Sequence, residues 1–175
     1  MLDISIWLIP QKKQKKDLQE IIDNLSLKYH TSTFIPHITI YYLGQSAKLN
    51  EVVPFIKQVA ENTKPFELEI ENILYSEQFT KTLYIQYKIN PALQILYEKF
   101  RKKFYSINPY ELNPHLSLIY KTNMKKEDKV GEIKKFKIPN NLILDRLMVI
   151  TKKGSNIKLE KDVLDWEVAL ESPLQ

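Results

Sequence analysis

Residues 36–42, Pro-His-Ile-Thr-Ile-Tyr-Tyr, and residues 114–120, Pro-His-Leu-Ser-Leu-Ile-Tyr, are one heptapeptide written twice: proline, histidine, aliphatic, hydroxyl, aliphatic, any residue, tyrosine. The two copies use two of the three histidines in a chain of 175 residues. Each reads as a strand, whose two-residue period puts His37 with Thr39, and His115 with Ser117, on one face. Ile38, Ile40, Leu116 and Leu118 then face the other way, into a core. At about 3.4 Å per residue a histidine and the hydroxyl two positions on stand about 7 Å apart, a span that flanks a tetrahedral phosphate. If the copies face each other across a cleft, two imidazoles sit on either side of a scissile P–O bond, one as base and one as acid. Thr39 and Ser117 then donate hydrogen bonds to the non-bridging oxygens. No metal is required by that arrangement, and none is expected. A single histidine at a strand start after proline is more often a structural residue satisfied by a backbone carbonyl. Its repetition in a histidine-poor chain is what points to chemistry.

Working outward from the motifs, strands alternate with helices. Leu2 to Ile9 reads as a strand, and Lys15 to Tyr29 as a helix with Leu18, Ile21, Ile22, Leu25 and Tyr29 at helical spacing. The first motif strand is expected from Ile35 to Leu43, ending at Gly44. A helix from Leu49 to Asn62 follows, with Pro54 in its opening turns. Phe66 to Tyr75 and Thr82 to Ile89 alternate as strands and complete a first lobe. A second lobe begins with a helix from Pro91 to Tyr105, whose stripe is Leu93, Leu96, Tyr97, Phe100 and Phe104, with Pro91 suited to its first turn. The second motif strand, Asn113 to Tyr120, comes next, then a Lys-rich helix from Lys125 to Lys134. Leu142 to Thr151 and Val163 to Leu170 read as strands around a Lys153-Gly154-Ser155-Asn156 turn. Nothing resembling a linker separates the halves, so the cleft between them is the natural site.

Composition agrees with one enzyme domain, being 43% hydrophobic over a length that suits a single core. The first apolar run, Ile4 to Ile9, is six residues long and closed by Pro10, so it reads as neither a signal-peptide core nor a membrane span. A cytoplasmic protein without membrane attachment is expected. There is no cysteine, hence no disulfide, thiolate nucleophile or cysteine-based zinc site. The net charge is +5, carried by lysine clusters, with Arg101 and Arg146 the only arginines. That composition lacks the bidentate guanidinium forks of much nucleic-acid recognition and leaves a mild positive field that attracts an anionic substrate.

These residues resemble the 2H phosphoesterase superfamily, named for two His-x-[Thr/Ser]-x motifs. The likeness runs from Ser5-Ile6-Trp7-Leu8-Ile9-Pro10 through Phe34-Ile35-Pro36-His37-Ile38-Thr39 to Pro114–Tyr120, nearly the whole chain. It implies an α+β, bilobal, duplicated fold: two antiparallel sheets flanking a central cleft, helices outside, and one motif in each of two pseudo-symmetric lobes. The cyclic phosphodiesterase branch is the nearest in appearance. The resemblance therefore implies a cofactor-free, monomeric enzyme that opens a nucleoside 2',3'-cyclic phosphate or ADP-ribose 1'',2''-cyclic phosphate, with a small nucleotide or RNA-end cyclic phosphate as its partner. It also implies that Tyr120 binds phosphate.

Strand parity qualifies the outer residues. Tyr120, five positions beyond His115, points away from the site unless the strand bends or ends there. Tyr41 falls on the His37 face and lines the cleft, whereas Tyr42 belongs to the core face. Trp7 is either a platform for a nucleobase or an ordinary core tryptophan. His30 reads as a surface or capping residue. Two other activities share the motifs: cleavage of linear 2',5'-linked or cyclic oligonucleotides, and binding of RNA ends or cyclic nucleotides without turnover.

Overall fold

Apolar alternation in two strands far apart in sequence builds the middle of the fold. The computed structural model describes residues 2–154 and 160–175. In it β1 (Leu2–Pro10) runs antiparallel to the long β6 (Asn141–Lys153). Ile4, Ile6 and Leu8 of β1 enter the main core, while Trp7 and Ile9 share a smaller cluster with Met148 and Ile150 on the opposite face. The first motif forms β2 (Ile38–Gly44), which pairs with β1, and the second forms β5 (His115–Ile119), which pairs with β4 (Leu83–Tyr87). Ile38, Ile40, Leu116 and Leu118 are fully buried, as alternation requires.

β3 (Phe66–Tyr75) joins the two sheets. Its first residues, Phe66 to Glu69, pair with β6; from Ile70 onward it pairs with β4. The strand order is β2-β1-β6-β3-β4-β5, with β7 (Glu167–Pro173) also on β6. Although β2 and β5 lie at opposite ends of that path, they come into contact, so the path curls until the two motifs meet. Among the described residues four α-helices cover the sheets: α1 (Lys12–Tyr29), α2 (Leu49–Glu61), α3 (Pro91–Phe104) and α4 (Lys126–Ile133). Asn90 caps α3, accepting from the Leu93 amide at 2.9 Å, with Pro91 in the first turn. His30 caps α1 in a left-handed conformation, φ 53°, as a capping residue does. Among the described residues no helix is long and apolar enough to cross a membrane.

Two expectations change. The lobes do not follow one another along the chain: β3 and β4 serve the second motif, and β6 and β7 return to the first. Periodicity identifies a strand but not its partner, and an antiparallel neighbour satisfies the backbone whatever its place in sequence. Of the strand expected at Val163 to Leu170, residues 163–165 lie in a 3-10 segment, Glu160–Asp165, Trp166 follows it, and Glu167 to Leu170 are the first part of β7. Of the turn expected at Lys153–Asn156, Ser155 and Asn156 lie outside the described residues.

Both motif strands carry an irregularity at the same place. Trp7 pairs with Thr39 but Ile6 with Tyr41, so Ile40 is an extra residue; Tyr84 pairs with Ser117 but Leu83 with Ile119, so Leu118 is another. Each lies three positions after its histidine. A bulge reverses the alternation beyond it, and Tyr41 consequently turns into the core. It is fully buried, its hydroxyl donating to the Asn108 carbonyl at 2.7 Å, against Tyr97, Phe100 and Phe104. Tyr42 takes the face that regular alternation assigns to Tyr41. We expect Tyr41→Ala to cost about 3–5 kcal/mol in urea-induced unfolding and Tyr42→Ala less than half as much; equal losses would contradict the bulge.

Candidate active site

Each motif histidine is held by the same bond. His37 Nδ1 lies 2.6 Å from the carbonyl of Ile35, and His115 Nδ1 lies 2.8 Å from that of Asn113. A carbonyl only accepts, so Nδ1 carries the proton in both rings, and each neutral imidazole keeps its lone pair on Nε2. The intervening prolines, Pro36 and Pro114, narrow the backbone that carries the carbonyl, since proline fixes its own φ and holds the preceding residue extended. The structural reading of these histidines thus occupies one nitrogen of each ring and leaves the other free of it.

The rings differ in their surroundings. His37 stacks on Trp7 with centroids 3.5 Å apart and planes 7° from parallel, and Trp166 meets it edge-on at 5.7 Å. Burial, with a smaller contribution from His115, lowers the His37 pKa to about 3. His115 is partly exposed, with the ring of Tyr84 edge-on at 5.8 Å. Burial lowers its pKa to about 4, with the nearby Lys81 ammonium adding to the shift. Both imidazoles are held neutral around pH 7, each with its lone pair on Nε2.

Both rings line one cavity of about 510 Å³, together with Thr39, Ser117, Tyr120, Trp7 and Trp166. The Thr39 hydroxyl makes no hydrogen bond among the described residues and is ready to donate. Ser117 Oγ donates to the Thr80 carbonyl at 2.6 Å, so it presents lone pairs to the cavity and donates to a phosphate only by giving up that bond. Tyr120 reaches the cavity because of the bulge at Leu118. It stacks on Phe34 at 4.1 Å, and its hydroxyl lies beside Ser117, with burial holding its pKa above the usual phenol value. Trp7 is 2% exposed, with one face against His37 and Nε1 donating to Ser5 Oγ at 2.8 Å, so it supports the histidine and offers no platform for a base. Tyr41 lies outside the cavity and Tyr42 inside it.

A sequence profile of the 2'-5' RNA ligase superfamily matches residues 10–156, spanning both motifs. The chain belongs to this superfamily. Its membership agrees with the two-histidine resemblance carried by the doubled motif. "Putative phosphoesterase BH1439" of Halalkalibacterium halodurans is 25% identical over 141 residues, covering 77% of this chain and 82% of that protein. "Cyclic phosphodiesterase" of Arabidopsis thaliana is 19% identical over 140 residues, covering 79% of this chain and 76% of the relative. The crystal structure of TT0787 of Thermus thermophilus superposes with a TM-score of 0.66 at 12% identity, over 98% of this chain and 97% of that one. That superposition shows that the two chains share one α+β fold.

Sequence reasoning missed Trp166, Phe34, Tyr42 and Thr80. For Tyr42 a signal existed: both copies of the heptapeptide end in tyrosine, at the same distance from histidine. Trp166 follows a short 3-10 segment with no motif of its own, and only the rarity of tryptophan marked it.

The lowered histidine pKa values carry a stability consequence. Unfolding returns both imidazoles to an ordinary value near pH 6.5, so between there and pH 3 to 4 the unfolded chain binds more protons. Their contribution is full above about pH 6.5 and is lost as the pH falls toward the folded values. Melting temperature should decline from about pH 7 to about pH 4, and less steeply in a His37→Gln/His115→Gln double variant; parallel curves would contradict the assignment.

Proposed function

We propose that this protein is a phosphoesterase that hydrolyses a cyclic phosphodiester, a nucleoside 2',3'-cyclic phosphate or ADP-ribose 1'',2''-cyclic phosphate, by two-histidine acid and base catalysis. One observation carries the reading: two imidazoles, each with Nδ1 committed to a carbonyl two residues back, share one cavity that also holds Thr39 and Ser117. Water attacks phosphorus as the Nε2 of one histidine takes its proton. The Nε2–H of the other, protonated histidine gives its proton to the departing ribose oxygen as the P–O bond breaks, leaving a linear phosphate monoester. Each proton transfer contributes about 10²–10⁴ in rate. Thr39, and Tyr120 beside Ser117, hold the phosphoryl oxygens in line.

Metal-independent chemistry belongs to this reading, because the two imidazoles supply both proton transfers. Activity should therefore persist in EDTA. His37→Ala and His115→Ala should each lose at least about 100-fold in kcat, and Thr39→Ala about tenfold, the worth of one neutral hydrogen bond. Activity retained in either histidine variant would overturn the mechanism.

The acid role requires a protonated histidine, whereas the free site keeps both neutral near pH 7. A phosphate anion beside an imidazole raises its pKa. Since kcat/KM reports the free enzyme and kcat the bound complex, the pH optimum of kcat/KM should lie on the acid side of that of kcat. Coincident optima would mean that substrate does not supply the protonating field. A second reading, cleavage of a linear 2',5'-linked oligonucleotide, draws support from the superfamily match; mass analysis of products from cyclic and 2'-5' linked substrates separates the two.

A further inference from the structure

Beyond the histidines, the cavity ends in a charged pair that the chemistry above does not use. Asp3 and Lys152 stand opposite each other on β1 and β6, both line the cavity, and each is only 8% exposed. No ion pair joins them among the described residues. Asp3 Oδ2 accepts from the Tyr42 hydroxyl at 3.0 Å, while Oδ1 is buried without a partner among the described residues. Among the described residues Lys152 Nζ reaches only the Lys153 carbonyl, at the outer limit of 3.5 Å. A buried carboxylate oxygen without a donor, beside a buried ammonium that does not pair with it, is an expensive arrangement for a fold to keep. A ligand presenting one donor and one acceptor side by side satisfies both, and the soft terminal torsion of a carboxylate lets Oδ1 turn toward it.

Position supplies the rest. Trp7, Ser5 and Asp3 all line the cavity, at two-residue steps along β1, so the charged pair stands about 14 Å along the strand from the level of the histidines. That is room for a ribose and a base beyond the phosphate. Donor and acceptor on adjacent atoms are what the hydrogen-bonding edge of a nucleobase offers.

We infer that Asp3 and Lys152 read this edge, Asp3 accepting a base N–H and Lys152 donating to the neighbouring ring nitrogen or carbonyl oxygen. The inference rests on the phosphodiesterase reading of the same cavity and narrows its substrate to nucleoside 2',3'-cyclic phosphates. A diphosphate extending from the reacting ribose would meet the Asp3 carboxylate.

The test measures kcat/KM on the four nucleoside 2',3'-cyclic phosphates and on a base-free analogue, methyl ribofuranoside 2,3-cyclic phosphate. It compares wild type with Asp3→Asn and Lys152→Met, both close in shape to the originals. The wild type should favour one or more nucleotides over the analogue. Each variant should shrink that advantage by about 10- to 100-fold, the worth of a hydrogen bond to a charged group. Asp3→Asn should also reorder the bases, because an amide donates where the carboxylate accepts. Equal losses on all five substrates, or an unchanged order and advantage, would overturn the inference. Calorimetric binding of the four nucleoside 3'-monophosphates runs in parallel. Base-dependent affinity that Asp3→Asn abolishes, without turnover of any cyclic phosphate, would support the base subsite and sink the phosphodiesterase reading. Neither turnover nor base-dependent affinity would overturn both.

Discussion

The site depends on a hydrogen bond that each motif histidine makes with its own backbone, from Nδ1 to the carbonyl two residues back. It settles the tautomer, aims the ring and leaves one nitrogen to work with. A bond within three residues needs no second element to complete it, so each histidine is oriented by its own peptide and the fold has only to bring two finished units together. Proline between the partners makes the local geometry easy to hold, because two of the backbone torsions involved are restricted before folding begins.

Bringing the units together has a cost, and the asymmetry of the two rings shows how it is met. Burial makes charge on either imidazole unfavourable, and a charge on one makes charge on the other more so. Against His37 the protein sets aromatic faces and edges from Trp7 and Trp166, and beside His115 it sets Tyr84 and Lys81. The first ring is the more deeply buried; the second is left nearer to water. Both rings are thereby held uncharged near neutral pH.

Much of this was legible in the sequence, for a physical reason. Strand and helix periods are local, so His37 with Thr39, His115 with Ser117 and the buried Ile38, Ile40, Leu116 and Leu118 could all be read from spacing alone, as could most element boundaries. What escaped was whatever depended on a partner strand. The bulges at Ile40 and Leu118 exist only in the pairing with β1 and β4, so parity counted along one strand sent Tyr41 to the cavity and Tyr42 to the core. The same blindness hid Asp3 and Lys152, unremarked residues far apart in sequence that become neighbours once β1 lies against β6. Trp7 was seen but its stacking partner was not, since pairing with Thr39 is what brings it under His37.

The interleaving of strands has a consequence for how the protein comes into being. β6 pairs with β1, β3 and β7, and it begins at Asn141, after both histidines have passed. During synthesis, therefore, the two oriented imidazoles emerge well before the strand that ties their sheets together, and the cavity closes only when β6 arrives. Contacts between such distant segments make folding slow relative to a helical protein of this size. A nascent chain stopped short of Asn141 carries both histidine peptides intact and yet lacks the strand that joins their sheets, so the cavity is completed by a strand that contributes neither histidine.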